Sequence, residues 1–174
     1  RAVGAQRESH RDHLPVTALR PITAADHASV LAWNEANVEL LAPLSQERLL
    51  ELLDQGEGVI IEEAGAAVGF VFTFLAGSAY SSPNYAWFAA RHEAFLYLDR
   101  VVVDSSVRRT GVGGRVYDLI ERRAAEVGPV MCLEVNLDPP NEPSLAFHRN
   151  RGYVEVGQQV WSDHLLTMME KPVG

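Results

Sequence analysis

The stretch from Phe95 to Arg115, FLYLDRVVVDSSVRRTGVGGR, limits the architecture more than any other part of the chain. Its first half belongs to an apolar run, Ala94 to Val103, rich in aromatic and β-branched residues on nearly both faces, as a central strand requires. A short turn follows, then a helix starting near Val112, where Val112, Val116, Leu119, Ile120 and Val127 recur at helical spacing. Between strand and helix stand Arg108, Arg109, Thr110, Gly111, Val112, Gly113, Gly114 and Arg115. Glycine lets backbone N–H groups approach a ligand without Cβ obstruction. A helix start adds unpaired donors and a positive dipole end, and the arginines add full charges. Such a loop suits a phosphate or pyrophosphate.

Spelling excludes two common phosphate loops. A Walker loop needs Gly-Lys-Ser/Thr, but Gly114 is followed by Arg115 and Val116, and a dinucleotide fingerprint needs glycine where Val116 stands. What remains is Arg-x-x-Gly-x-Gly at Arg108, Gly111 and Gly113. A net charge of −8 argues against general nucleic-acid binding and makes the arginine cluster stand out locally. With one cysteine, Cys132, no internal disulfide can form; its apolar surroundings point to core packing, and the expected compartment is a reducing cytoplasm. No apolar run reaches membrane-spanning length. His10 and His13 have no supporting ligands nearby, so no metal site is expected.

Residues 1–14 read as a flexible N-terminal extension and 15–174 as a single domain. Val16 to Ile22 is a first strand, Ala24 to Leu41 a helix after Thr23, and Arg48 to Leu53 a second helix capped by Ser45. Val59–Glu63 and Ala67–Leu75 form a hairpin, with Phe70, Phe72 and Phe74 on one face as a core stripe. Gly77 to His92 is the longest irregular stretch, and its Tyr85, Trp87 and Phe88 either line a substrate pocket or anchor the loop. After the glycine-loop helix come a buried strand from Val130 to Val135, a helix from Asn141 to about Arg151, and final strands at Tyr153–Trp161 and Leu165–Glu170. This alternation gives a mixed α/β (α+β) sheet.

The second informative segment is Leu133-Glu134-Val135-Asn136 followed by Asn141, Ser144, Phe147, His148, Gly152 and Tyr153. Together with the Arg-x-x-Gly-x-Gly loop after a Val-rich strand, it resembles the GNAT superfamily of N-acetyltransferases, with His148 where that family usually has tyrosine. The resemblance runs from about Val16 to Glu170 and is similar to an uncharacterised bacterial branch. It implies a mostly antiparallel sheet of about seven strands flanked by helices, with the fourth and fifth strands splayed. It further implies acetyl-CoA, threaded between those strands, with Val101, Val102 and Val103 along its arm. Arg108 to Arg115 would hold the diphosphate, and Asn141, Ser144 and His148 would contact the cofactor. The implied partners are acetyl-CoA and an amine-bearing acceptor, without nucleic acid or membrane; dimers are frequent in the family, so a homodimer is compatible.

The chemistry needs three groups. An ammonium must lose a proton before it attacks a thioester, the oxyanion needs an N–H donor, and the departing thiolate benefits from an acid. Val101 can supply the N–H. His148 is the candidate acid, or else only a cofactor contact. Asp99, Glu134 and Glu93 are candidate bases. Strand alternation puts Asp99 on the Val101 face and Arg100 opposite, so Asp99 either serves as base or pairs with a helix arginine. The leading expectation is acetyl transfer to a primary amine. The alternative is a non-catalytic acyl-CoA-binding regulatory module.

Overall fold

The structure is a computed structural model and describes residues 16–174, so the extension expected over residues 1–14 lies outside them. The strands are β1 (Thr17–Pro21), β2 (Glu57–Glu63), β3 (Ala66–Leu75), β4 (Leu96–Val103), β5 (Val130–Asp138), β6 (Val154–Trp161) and β7 (His164–Pro172). The helices are α1 (His27–Glu35), α2 (Gln46–Gln55), α3 (Pro83–Ala89), α4 (Val112–Val127) and α5 (Glu142–Asn150). All seven strands join one sheet in the order β1-β2-β3-β4-β5-β7-β6. Its pairs are antiparallel except β4 with β5.

Each face of the sheet carries its own core. Helices α1, α2 and α3 cover Phe70, Phe72, Phe74, Tyr97 and Val102 with Val30, Leu49, Leu52 and Phe88. Helices α4 and α5 cover Val71, Leu96, Leu98 and Leu133 with Val116, Ile120 and Leu145. The phenylalanine stripe of β3 is therefore core, as its period predicts, and Cys132 is buried beside it. Gly69 permits a close approach of β3 to β4, since a Cβ there would stand 2.0 Å from the Val102 carbonyl oxygen.

Two helical expectations need correction. The helix read over Ala24–Leu41 is a 3-10 turn at Ala24–Asp26, then α1, then turns after Glu35. Asparagine side chains compete for backbone here: Asn37 Nδ2 donates to the Trp33 carbonyl at 2.8 Å and Asn34 Nδ2 to the Ala42 carbonyl at 3.0 Å. The stretch read as irregular contains α3, which starts at Pro83 with Ser82 capping the Tyr85 N–H.

The features that build a site are two irregularities in β4. It pairs with β5 only at Leu96–Met131 and Tyr97–Cys132, after which the two strands part. Against β3, Phe72 faces Arg100 while Thr73 faces Leu98, so Asp99 is the extra residue of a bulge.

Candidate active site

Where β4 and β5 diverge lies a cleft of about 310 Å³, lined by Leu98 to Val102, Leu133 to Asn136, Asn141, Ser144 and His148 among others. The bulge decides how its floor is charged. By simple alternation Asp99 would share a face with Val101 and oppose Arg100. Instead Asp99 and Arg100 turn the same way, and Arg100 Nε lies 3.3 Å from Asp99 Oδ2. The guanidinium also donates to Asn34 Oδ1 and the Ala42 carbonyl, each at 2.9 Å, tying the segment after α1 to the bulge. The partner of Asp99 is thus its own neighbour rather than a helix arginine. Its other oxygen accepts from the Tyr80 hydroxyl at 2.8 Å. Burial raises the Asp99 pKa, against the pull of Arg100 and Tyr80.

Glu134 faces the same side from β5. The Tyr97 hydroxyl sits 2.8 Å from both carboxylate oxygens, and Asn84 Nδ2 donates at 3.3 Å. Gln159 in turn holds Asn84, donating to Oδ1 at 2.7 Å. Burial, with the negative charge of Asp99 second, pushes the Glu134 carboxyl up to about 8, while the Tyr97 and Asn84 bonds pull the other way. A carboxylate poised there can accept a proton near neutral pH.

Beyond these carboxylates, β4 and the start of α4 present backbone groups. The Asp104 N–H donates to Val68 on β3, and alternation along the strand then turns the Val101 and Val103 N–H groups toward the gap. Helix α4 opens at Gly111, which has φ +83°, and its first ladder bond runs from the Arg115 N–H to the Gly111 carbonyl. The amides of Val112, Gly113 and Gly114 therefore precede the ladder. A Cβ on Gly113 would meet nothing within 4 Å, so nothing in the described residues demands glycine there. Arg108 and Arg109 are exposed beside it. Arg108 donates to Asn37 Oδ1 at 2.9 Å. Arg115 turns away, binding Glu63 at 2.8 Å and the Thr17 hydroxyl at 2.8 Å, which fastens α4 to β1 and β2.

At the start of α5, Asn141 caps the helix by accepting from the Ser144 N–H. His148 lies one turn after Ser144, buried. Its Nδ1 is 2.7 Å from the Ser144 carbonyl, which can only accept, so Nδ1 carries the proton. Nε2 of the neutral ring then accepts from the Tyr117 hydroxyl at 2.7 Å. Burial lowers the His148 pKa and so favours that neutral form.

The sequence matches the Acetyltransferase (GNAT) family over residues 22–153, which takes in both the glycine loop and the Asn141–Tyr153 segment. The chain belongs to the GNAT acetyltransferase family. Solved structures share the fold. Ard1 from Thermoplasma volcanium matches with TM-score 0.67 at 22% identity, over 90% of this chain and 97% of that one. NAA60 from Arabidopsis thaliana, in complex with acetyl-CoA, gives 0.68 at 12% identity, over 91% and 100%. The putative acetyltransferase yncA from Salmonella typhimurium, with its cofactor acetyl-CoA, gives 0.62 at 17% identity, over 91% and 94%. No curated protein matches the sequence significantly. Acetyl-CoA-dependent acetyl transfer is the family's general chemistry, and acetyl-CoA is the cosubstrate that fits this fold. Among the described residues no helix is long and apolar enough to cross a membrane.

In this acetyltransferase the cleft gathers Asp99, Glu134, Val101, Val102, Asn141, Ser144 and His148, all singled out in the sequence. Three others go elsewhere. Tyr85 is buried, with its hydroxyl donating to the Leu75 carbonyl at 2.7 Å, and Phe88 is fully buried core. Trp87 packs where Gly157 leaves room, with Arg91 stacked on its ring. These residues anchor the segment rather than line the cleft, so the pocket reading of them is replaced by the anchoring one. Glu93 is exposed before β4 and does not line the cleft. Sequence reasoning missed Tyr80, Asn84, Tyr97 and Tyr117, because only tertiary pairing brings their polar ends to Asp99, Glu134 and His148. Tyr80 alone carried a signal, as an aromatic in the long stretch before β4. His92, Cys132 and Glu170 bring possible metal-ligand atoms within 4.8 Å of one another, at the end of the sheet where β4 and β5 still pair.

Proposed function

We propose that this chain transfers an acetyl group from acetyl-CoA directly to a primary amine, with Glu134 as the general base. The observation that carries this reading is the pair of half-buried carboxylates, Glu134 and Asp99, on the floor of the gap between β4 and β5. Asp99, compensated by Arg100, attracts the ammonium; Glu134 takes its proton. The freed nitrogen attacks the thioester carbon, and the Val101 N–H holds the developing oxyanion. The tetrahedral centre then collapses: the carbon–sulfur bond breaks, the nitrogen's second proton passes to the departing sulfur, and the amide and CoA thiol part. The amides at the start of α4, with Arg108 and Arg109 at the rim, hold the diphosphate, while Asn141 and Ser144 flank the pantetheine arm. His148 serves the thiolate as imidazolium, with Tyr117 as its partner at the sulfur side. The test is release of free thiol from acetyl-CoA in the presence of primary amines, with Glu134→Gln as control. The reading expects amine-dependent release that the variant loses while it still binds acetyl-CoA; equal rates in both proteins would refute Glu134 as base.

A second reading is an acyl-CoA-binding regulatory module without turnover. It is favoured by the state of His148, whose two ring nitrogens are both engaged, by Ser144 and Tyr117. Acetyl-CoA binding with no thiol release from any amine would support it.

A further inference from the structure

The acceptor end of the cleft has a second compartment. A cavity of about 180 Å³ adjoins the first and shares Leu40, Leu41, Ala42, Asn136 and Trp161 with it. Its walls come from the turns after α1 and from the tip of the β6–β7 hairpin, two segments whose apolar side chains would be expected to fold inward. They do not: Leu40 is 61% exposed, Trp161 45% and Val38 37%, and all three line this one cavity. Three large apolar residues held in water around one opening mark a surface that a ligand covers.

The charges are equally selective. The cleft and the second cavity are lined by three carboxylates, Asp99, Glu134 and Glu39. Arg100 is the only guanidinium among the described lining residues, and it is spent on Asp99, Asn34 and the Ala42 carbonyl. An acceptor bearing a carboxylate beside its amine would press that group toward Asp99 and Glu134 with no free guanidinium or ammonium among the described lining residues to receive it; the two lining imidazoles are His148, already held by Ser144 and Tyr117, and His164, away in the second cavity. A second ammonium would lie among Leu40, Leu41 and Trp161, with only Glu39 at the rim to meet it.

We propose that the acceptor is a small primary monoamine on an apolar alkyl or aryl body, without a carboxylate, its amine at Glu134 and its body between Leu40 and Trp161. This rests on the amine-transfer reading above and names the class of substrate for the same site. Atoms balance as in that reading: the amine nitrogen gains the acetyl carbon, the thioester sulfur loses it, one ammonium proton leaves through Glu134 and the second reaches the sulfur.

The experiment compares four acceptors by thiol release: phenethylamine, phenylalanine, spermidine and a short peptide with N-terminal phenylalanine. Phenethylamine is expected to exceed each of the others in kcat/KM by on the order of tenfold or more, the scale on which a mismatched pocket discriminates. Leu40→Asp and Trp161→Ala change exposed positions, and circular dichroism verifies their folding. Each is expected to lower the ratio of kcat/KM for phenethylamine over ethylamine several-fold, because ethylamine scarcely reaches the second cavity. Phenylalanine, spermidine or the peptide turned over as well as phenethylamine would overturn the proposal and leave amine transfer standing. An unaltered ratio in both variants would do the same. No turnover with any amine, while acetyl-CoA still raises the Tm, would overturn both.

Discussion

The two walls of the cleft are built from different materials. The side we propose for the cofactor is main chain: the Val101 and Val103 amides and, beyond the residues that line the cleft, the opening turn of α4 around Gly111 to Gly114. The acceptor wall is side chain: Glu134 held by Tyr97 and Asn84, and Asp99 held by Tyr80 and Arg100. Main-chain donors at a helix start stay unpaired until an anion arrives, so that wall gains its partners on binding. The acceptor wall satisfies its polar groups beforehand. Two carboxylates taken from water need those hydroxyl, amide and guanidinium partners, and even so burial raises the pKa of both. On the proposed reading, one wall is completed by its ligand, and the other is tuned in advance and holds its groups ready for proton transfer.

That contrast breaks most visibly at Glu134. Glu134→Gln keeps a hydrogen-bonding amide in place of the carboxyl but cannot take a proton. It is expected to lower kcat by about 10²- to 10⁴-fold, the usual weight of a general base, with acetyl-CoA affinity retained in calorimetry. A kcat close to that of the parent would move the base elsewhere. The cofactor wall breaks at Gly113→Glu. The position has room for a side chain, so the fold should survive, but a carboxylate would meet the diphosphate. Affinity for coenzyme A should fall by roughly tenfold or more, the counterpart of about 1.4 kcal/mol. Unchanged affinity would mean that the diphosphate is not held at the start of α4.

The same contrast explains what the sequence disclosed. The strand, the glycine turn and the helix start could be read from Val101 to Arg115 because their requirements are local: an apolar run, glycine at a left-handed turn, a helical apolar period. The splay of β4 from β5 came from family resemblance, since no local rule announces where two parallel strands stop pairing. The acceptor wall was half legible. Asp99 and Glu134 stood out as carboxylates in apolar runs, but Asn84 and Glu134 are 50 residues apart and Tyr97 and Glu134 are 37, so their pairing belongs to the fold alone. The bulge defeated strict alternation at Asp99 and Arg100. Tyr85, Trp87 and Phe88 stayed open between pocket and anchor in the sequence, because nothing local says that the helix starting after Ser82 packs those aromatics inward.

A gentler change sharpens the account of the acceptor wall. Asp99→Asn removes the negative charge that, after burial, helps hold the Glu134 proton. It also frees Arg100 to stabilise the Glu134 anion. Both effects lower the Glu134 pKa. Because the ionised carboxylate is the active base, kcat/KM rises with pH through that pKa, near 8 in the parent chain. The rising limb should therefore move to lower pH in Asp99→Asn, measured with one amine throughout. A limb that stays in place would show that Asp99 and Glu134 do not share their protonation, and that burial alone sets the Glu134 value.

The smallest effect is expected where the two walls meet, at His148. In the neutral ring Nδ1–H is committed to Ser144 and Nε2 accepts from Tyr117, so no proton is left to donate. Only the imidazolium could act as an acid, and burial makes that form scarcer by lowering the pKa. A donor role would therefore fade as pH rises through this depressed pKa, opposite in sign to the limb from Glu134. His148→Phe should keep acetyl-CoA affinity and slow thiol release only several-fold, with that falling component lost from the pH–rate profile. Tyr117→Phe separates the two members of the pair: it removes the hydroxyl while leaving the ring nitrogen free. If the profile of His148→Phe overlays that of the parent chain, the imidazole only packs and the thiolate departs without its help.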